Sequence, residues 1–478
     1  METINSLVNS KNRKFLIKAG LILSLFILGF VLCYNFRPGA RLVQPLPQDS
    51  AVKVYFNHNQ ASTYEDPYRH FIREGDNLEQ QIIDAVNQAK STVDLAVMEF
   101  RLPKVAEALN FAQKRGVKVR VMIDNRYNKT LADYTPTEMT KMNRHDKLAL
   151  EELKRYPADA LDQLRKNGIE IKDDTSSKTT KGSGLMHHKF VVIDGKTTII
   201  SSGNLTTSDL HGDFGNLQTR GNPNNMVVIA DNVQLAKTFT DEFNYMWQGL
   251  FKSHKPKRNL AIVKTGTGGM IAVNFSPAKR NEDLAMTSNG EIAAYLQQAK
   301  KSVHMALFVY SDQNISDTLG DVHEQGVEDI KVLVDPDFLG KPYSKAYDAM
   351  GVCPRLGKKN HHIKVKPWNH PITTVGYPVA PSGDRGVHSK MAILDELLVI
   401  AGSHNWTNSG NYSNDETLIF IQNSTVAAHY EREFSRLYGT AKVGLKTLPR
   451  THKCGDTSLK TTQTSTEPME SDDSSADN

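Results

Sequence analysis

The chain is poor in cysteine. Its three, Cys33, Cys353 and Cys454, form no C-x-x-C pair and no zinc-type spacing, and H-E-x-x-H is absent as well. A thioredoxin-like redox centre and the common zinc sites are thereby excluded. Cys353 and Cys454 are expected as free thiols, with a disulfide as the alternative outside the cytoplasm. A cleavage signal is also missing. The segment "KNRKFLIKAGLILSLFILGFVLCYNFRP" ends in "FVLCYNF" with no small residues before a scissile bond. Leu32 before Cys33 argues against lipid attachment there. Spanning a bilayer takes roughly 20 apolar residues, and 15–36 supplies them if Lys18 snorkels to the headgroups. Residues 1–36 are therefore expected to be an uncleaved signal anchor, a transmembrane helix. Lys11, Arg13, Lys14 and Lys18 would keep its start in the cytoplasm, with the body on the periplasmic or extracellular side.

Positive charge is absent from the other end, where residues 467–478 hold five acids and no base. Setting them aside doubles the formal net charge of +5, which suits an anionic partner: nucleic acid, a phospholipid surface or a phosphate ester. Residues 446–478 lack apolar side chains to bury and are expected to be a disordered tail.

What the chain does have is a repeat. "QQIIDAVNQAKSTVDLAVMEF" (80–100) aligns without gaps on "GEIAAYLQQAKKSVHMALFVY" (290–310). Each copy shows apolar residues at helical spacing, then a short β-branched run: a helix feeding a buried strand. Each continues to a second strand that ends in an acid, "GVKVRVMIDN" and "GVEDIKVLVDP". Strands alternating with helices predict an α/β fold of two pseudo-symmetric α-β-α sandwich lobes with mixed sheets, 52–250 and 259–445. The polar stretch "KSHKPKR" (252–258) between them reads as a linker.

Inside the repeat lies a repeated motif. "MHHKFVVIDG" (186–195) and "VHSKMAILDE" (387–396) each place a histidine and a lysine two apart, then an acid. Strand alternation puts His187 with Lys189, and His388 with Lys390, on common faces. Asp194 and Asp395 fall on the other parity, at turns, and are expected to be structural acids. Each returning strand ends in a small polar cluster, so that Asn204 lies 17 residues after His187 and Asn405 17 after His388. Ser202 and Ser403 supply a hydroxyl in each half. A single H-x-K pair is commonplace on surfaces and in cores; a duplicated one with matching acid and amide is not. Lysine is a poor metal ligand, so a metal site is not the reading. Two lysines and two asparagines suit the oxygens of a phosphodiester, while one imidazole attacks phosphorus and the other protonates the leaving alcohol. No metal or cofactor is required.

These paired H-x-K-x₄-D motifs with trailing S-x-N-x-T resemble those of the phospholipase D superfamily, over nearly all of 52–440. The resemblance implies one active site between two lobes and a phosphohistidine formed on His187, with His388 as general acid and then base. Lys189, Lys390, Asn204 and Asn405, with Ser202 and Ser403, would hold phosphate. It also implies a histidine-orienting carboxylate, which falls on Glu416, 28 residues after His388; Glu416 would reach across to His187. The first half carries Asn224 and Asn225 where an acid is expected, so His388 should lack a carboxylate partner and have its pKa raised less than that of His187. The activity implied is a phosphodiesterase hydrolysing, or transphosphatidylating, phospholipids to phosphatidic acid, acting as a monomer on a membrane. A metal-independent nuclease acting on nucleic acid, a cardiolipin-synthase-like transferase and an inactive binding module on the same fold are the alternatives. The basic stretch "KMNRHDK" (141–147) suits a nuclease or a solvated helix start. His211 and His361-His362 are expected to be loop or surface residues.

Overall fold

The apolar period of "LEQQIIDAVNQ" forms the helix Leu78–Gln88, capped by the Asn77 side chain and burying Leu78, Ile82 and Val86. Its counterpart Ser288–Leu296 is capped by Thr287 and buries Ile292, Ala293 and Leu296. Each feeds a buried strand, Thr92–Val97 and Ser302–Leu307. The computed structural model describes residues 43–176, 183–256, 259–356, 363–380, 383–449 and 451–454. The segment read as an anchor, 1–36, lies outside them. Among the described residues no helix is long and apolar enough to cross a membrane.

Two mixed sheets organise the body. The first runs Val52–Phe56, Asn225–Ile229, Thr197–Ser201, Lys189–Ile193, Thr92–Val97, Lys118–Ile123, Glu170–Asp173. The second repeats that order with Met270–Ser276, Glu416–Gln422, Leu398–Gly402, Lys390–Leu394, Ser302–Leu307, Asp329–Val334, Val375–Pro378, and adds an edge strand at each side, Ala261–Lys264 and Ala441–Val443. The register repeats as well. Val97 faces Lys189 across an antiparallel ladder, and Leu307 faces Lys390. Thr92–Val97 and Ser302–Leu307 each pair in parallel with the next strand.

Helices cover the sheets. Leu78–Gln88, Pro103–Lys114 and Ala160–Lys166 share a core with one face of the first sheet. Ser288–Leu296 and Gln313–Glu324 do so for the second. The largest core draws on both sheets and on the helices Val233–Trp247 and Ser424–Gly439. Phe190, Phe239 and Phe243 are fully buried there, each contributing about 1.5–3 kcal/mol relative to an exposed ring.

Three expectations need correction. Cys353 and Cys454 are not free thiols; they form a disulfide, with Cα atoms 5.1 Å apart. The tail does not begin at 446, because Thr451–His452 pairs with Cys353–Pro354 and the disulfide follows directly; residues 455–478 lie outside the described ones. Nor is 252–258 a simple solvated linker. Lys252 and Lys255 are buried. Lys252 Nζ lies 2.8 Å from Asp415 Oδ2, and Lys255 Nζ lies 2.7 Å from Asp415 Oδ1 and also bonds Glu242.

Candidate active site

The motif strands begin at the lysines, Lys189–Ile193 and Lys390–Leu394, so the histidines sit just before the sheet and not within it. The reason is pairing across the repeat. Met186 bridges Asp415, and His187 N donates to Asp415 O at 2.9 Å. The acids that end the neighbouring strands hold these segments in place. Asp124 Oδ2 accepts Met186 N–H at 2.9 Å, and Asp335 Oδ2 accepts the N–H groups of Gly386 and Val387 at 2.8 and 3.1 Å.

The two halves exchange partners for their histidines. Glu416 Oε2 takes the Nδ1 proton of His187 at 2.6 Å, and the Ser403 hydroxyl donates to the same oxygen at 2.8 Å. Asn224 Oδ1 faces His388 Nδ1 at 3.0 Å, with Ser202 donating to it at 2.7 Å. Thr417 N–H and Asn225 N–H each donate at 3.0 Å to the serine of their own half. Asn224 is thus the counterpart of Glu416, and Asn225 of Thr417. Asn225 looks elsewhere, accepting from Tyr430 and donating to Ser389. The expectation that His388 lacks a carboxylate also fails, since Asp209 Oδ1 lies 3.6 Å from its Nδ1.

The lysines are left with charge to spend. Lys189 Nζ donates to His187 O at 3.0 Å and Lys390 Nζ to His388 O at 2.7 Å; neither ion-pairs with another described residue. Burial pushes Lys189 down to about 8. Burial and then the neighbouring Lys189 push Lys390 down to about 7. Burial followed by these two ammonium groups also holds both imidazoles well below the ordinary histidine range, and His388 adds to the effect on His187. The expected rise in histidine pKa is therefore reversed: burial and the two neighbouring ammonium groups oppose a further positive charge. Neutral His187, its Nδ1–H given to Glu416, keeps a lone pair on Nε2.

Other predicted residues sort by what they touch. Asn405 is buried with both side-chain polar atoms unpartnered among the described residues, and Asn204 Oδ1 is likewise unpartnered. Buried amide atoms left this way cost about 1–3 kcal/mol unless a ligand or water satisfies them. Ser202 and Ser403 do not fit the phosphate-binding role, because each hydroxyl already donates to Asn224 or Glu416 and accepts a backbone N–H. Asp194 accepts the N–H groups of Lys90, Ser91 and Thr92, and Asp395 those of Lys300, Lys301 and Ser302. His188 turns away from His187 to Thr417 and Glu242. His211 lies in a turn after the short helix Thr207–Leu210, as expected of a loop residue. It is fully buried, between Tyr64 and Glu79. His361 and His362 lie outside the described residues. The basic stretch opens an exposed helix, Arg144–Leu153, capped by Asn143. Among the described residues no group of three or more histidine, cysteine, aspartate or glutamate side chains is arranged to hold a metal ion. Sequence reasoning missed Asp209, Asp124 and Asp335; the strand-ending position was the only signal, and it marked the last two.

Residues 82–247 and 292–438 match the family model described as "Cardiolipin synthase, PLD-like domain". The mitochondrial cardiolipin hydrolase of Xenopus tropicalis is 28% identical over 161 residues, 34% of this chain and 57% of that protein. A phospholipase D of Rickettsia typhi is 29% identical over 147 residues, 30% of this chain and 60% of that one. The chain thus spans little more than half the length of the curated relatives it matches. The crystal structure of phosphatidylserine synthase from Haemophilus influenzae Rd KW20 superimposes with a TM-score of 0.51 at 12% identity, covering 83% of this chain and 88% of that one. That likeness is one of fold.

Proposed function

Because the chain belongs to the phospholipase D superfamily, with both halves matching its PLD-like domain, we propose that it is a phosphodiesterase that cleaves phospholipids to phosphatidic acid through a phosphohistidine. The observation that carries this reading is the crossed pair of histidines, each held by a side chain of the opposite half, beside two buried lysines that have no carboxylate partner among the described residues. A phosphodiester monoanion supplies the charge those lysines lack. It also weakens their effect on His388, which can then hold a proton.

The His187 Nε2 lone pair forms an N–P bond as the P–O bond to the headgroup breaks, and His388 gives its Nε2 proton to the departing alkoxide. Water then attacks phosphorus, the P–N bond breaks, and neutral His388 takes the water's proton. An alcohol in place of water gives transfer through the same intermediate. Lys189, Lys390 and the Asn405 amide stabilise the oxygens of five-coordinate phosphorus, each well-placed donor being worth roughly 3–4 kcal/mol. Both motifs lie in one chain, so a monomer suffices. Names of two relatives, cardiolipin hydrolase and phospholipase D, favour a lipid over a nucleic acid. The Cys353–Cys454 disulfide and the apolar segment at 15–36 support a membrane-anchored body in an oxidising compartment.

The full chain, incubated with phosphatidylcholine vesicles, phosphatidylglycerol vesicles or single-stranded DNA, is expected to release choline or glycerol. His187→Ala should abolish the release. DNA cleavage without lipid turnover would overturn the lipid reading, and turnover surviving in His187→Ala would overturn the phosphohistidine.

A further inference from the structure

The general acid needs a proton, yet its surroundings oppose one. The charged and titratable groups facing His388 are Lys390 two residues after it, Arg385 three residues before it, Lys189 and His187 of the opposite motif, and Asp209 of the short helix Thr207–Leu210. Four of these five carry or acquire positive charge. Asp209 is the acid.

Its position is built. Asp209 is 4% exposed. Its Oδ2 accepts Asn204 N–H at 2.7 Å and its Oδ1 accepts Asn222 Nδ2 at 2.8 Å. The Asn224 amide, whose oxygen faces His388 Nδ1 at 3.0 Å, donates through its nitrogen to Asp209 O at 3.0 Å. The His388 Nδ1 proton is thus flanked by an amide oxygen at hydrogen-bond distance and a carboxylate oxygen at 3.6 Å. The second separation is too long for a hydrogen bond but short for charge acting through a buried medium.

Comparison of the halves explains the placement. Asp209 N–H caps onto Thr206 Oγ1 as Gly410 N–H caps onto Thr407 Oγ1, so Gly410 is the counterpart of Asp209. A Cβ at Gly410 would stand 2.3 Å from Asn405 O, which leaves that turn no room for a side chain. One half therefore carries its acid on the strand, as Glu416, and an empty turn. The other carries an amide on the strand, Asn224, and its acid on the turn.

We propose that Asp209 is the positioning carboxylate of His388, stabilising the imidazolium from a turn where the other half uses a strand acid in direct contact with its histidine. This rests on the reading of His388 as general acid and base. The looser arrangement matches the task. His187 keeps one tautomer while its Nε2 bonds phosphorus, whereas His388 gains and loses a proton in every cycle.

The test uses the full chain and bis(4-nitrophenyl) phosphate, a diester that needs no lipid or nucleic-acid recognition. Asp209→Asn should lower kcat about 10–100-fold, with KM nearly kept and the alkaline limb of the kcat profile moved to lower pH. Adding Asn224→Asp should recover most of the loss, because it returns a carboxylate to His388 from the strand side. Should Asp209→Asn fold poorly, Asn224→Asp alone should move the alkaline limb upward. Wild-type kcat and pH profile in Asp209→Asn would overturn the assignment. So would a double variant that melts like the wild type yet is no faster than Asp209→Asn, or an unmoved limb in Asn224→Asp. His187→Ala separates the two levels. Turnover persisting there removes the phosphohistidine reading, whereas abolished turnover there beside an unaffected Asp209→Asn removes the Asp209 assignment alone.

Discussion

Glu416 fixes more than a distance. By accepting the Nδ1 proton of His187 it selects the tautomer whose lone pair sits on Nε2. Glu416→Gln offers an amide that can donate there instead, and the wrong tautomer then competes. We expect kcat to fall roughly 10³–10⁴-fold with little change in KM, measured on bis(4-nitrophenyl) phosphate. Ser403 tests whether its hydroxyl positions or binds. It donates to Glu416 and accepts from Thr417, so Ser403→Ala should lower kcat about tenfold, the worth of one hydrogen bond to a charged group. A rise in KM at constant kcat would restore it to phosphate binding. At this scale the sequence was legible wherever spacing repeats: both H-x-K pairs and both asparagines follow from offsets, whereas Glu416, which the first half does not repeat, was implied by the family resemblance. It was ambiguous between Asn224 and Asn225, because one residue of register reverses which side chain faces the histidine. Asp209 was invisible. Its counterpart is a glycine, so no repeat marks it, and its nearness to His388 is tertiary.

The misread linker shows what an element can hide. "KSHKPKR" has the composition of a solvated connection, yet the turn Lys252–His254 and the lysine after it are clamped by two buried acids: Asp415 to Lys252 and Lys255, and Glu242 to Lys255. Burial draws Lys255 below the ordinary lysine range, with Asp415 opposing the shift. Asp415 is also the residue whose backbone receives His187 N–H, so the clamp and the nucleophile share a support. Lys255→Met should therefore cost about 3–5 kcal/mol, the range for breaking a buried ion pair by removing one partner, as read from urea unfolding of the full chain. A loss below about 1 kcal/mol would mean that the clamp is effectively solvated. Composition could not reveal it, because charged residues are normally exposed and the acid shared by both lysines, Asp415, lies 163 residues from Lys252 along the chain.

Duplication made the architecture readable. A helix, a strand, a second strand and a motif hairpin recur in order, and two sheets with matching strand order follow. What duplication could not convey is that joining the halves concentrates positive charge. Lys189 comes from one half and Lys390 from the other; burial depresses Lys189 to about 8, and burial together with the repulsion of Lys189 depresses Lys390 to about 7. The fold thus binds fewer protons than the unfolded chain between roughly pH 7 and the ordinary lysine value of 10.5, so these two groups make stability rise with pH across that window. Below pH 7 their cost is fully present. An anion held between them reverses this by restoring the charged form, which means that binding takes up protons. Inorganic phosphate should raise the Tm of the full chain most near pH 6–7 and progressively less above pH 8. Calorimetry in two buffers of different ionisation enthalpy should register net proton uptake at pH 8. The doubly substituted Lys189→Met, Lys390→Met chain should lose both the phosphate response and the pH dependence, while melting higher than the wild type at pH 6 because two buried charges are gone. A phosphate-induced Tm shift that stays constant from pH 6 to 9 would mean that the lysines remain fully charged in the free protein. Some other counter-charge would then already occupy the place assigned to substrate.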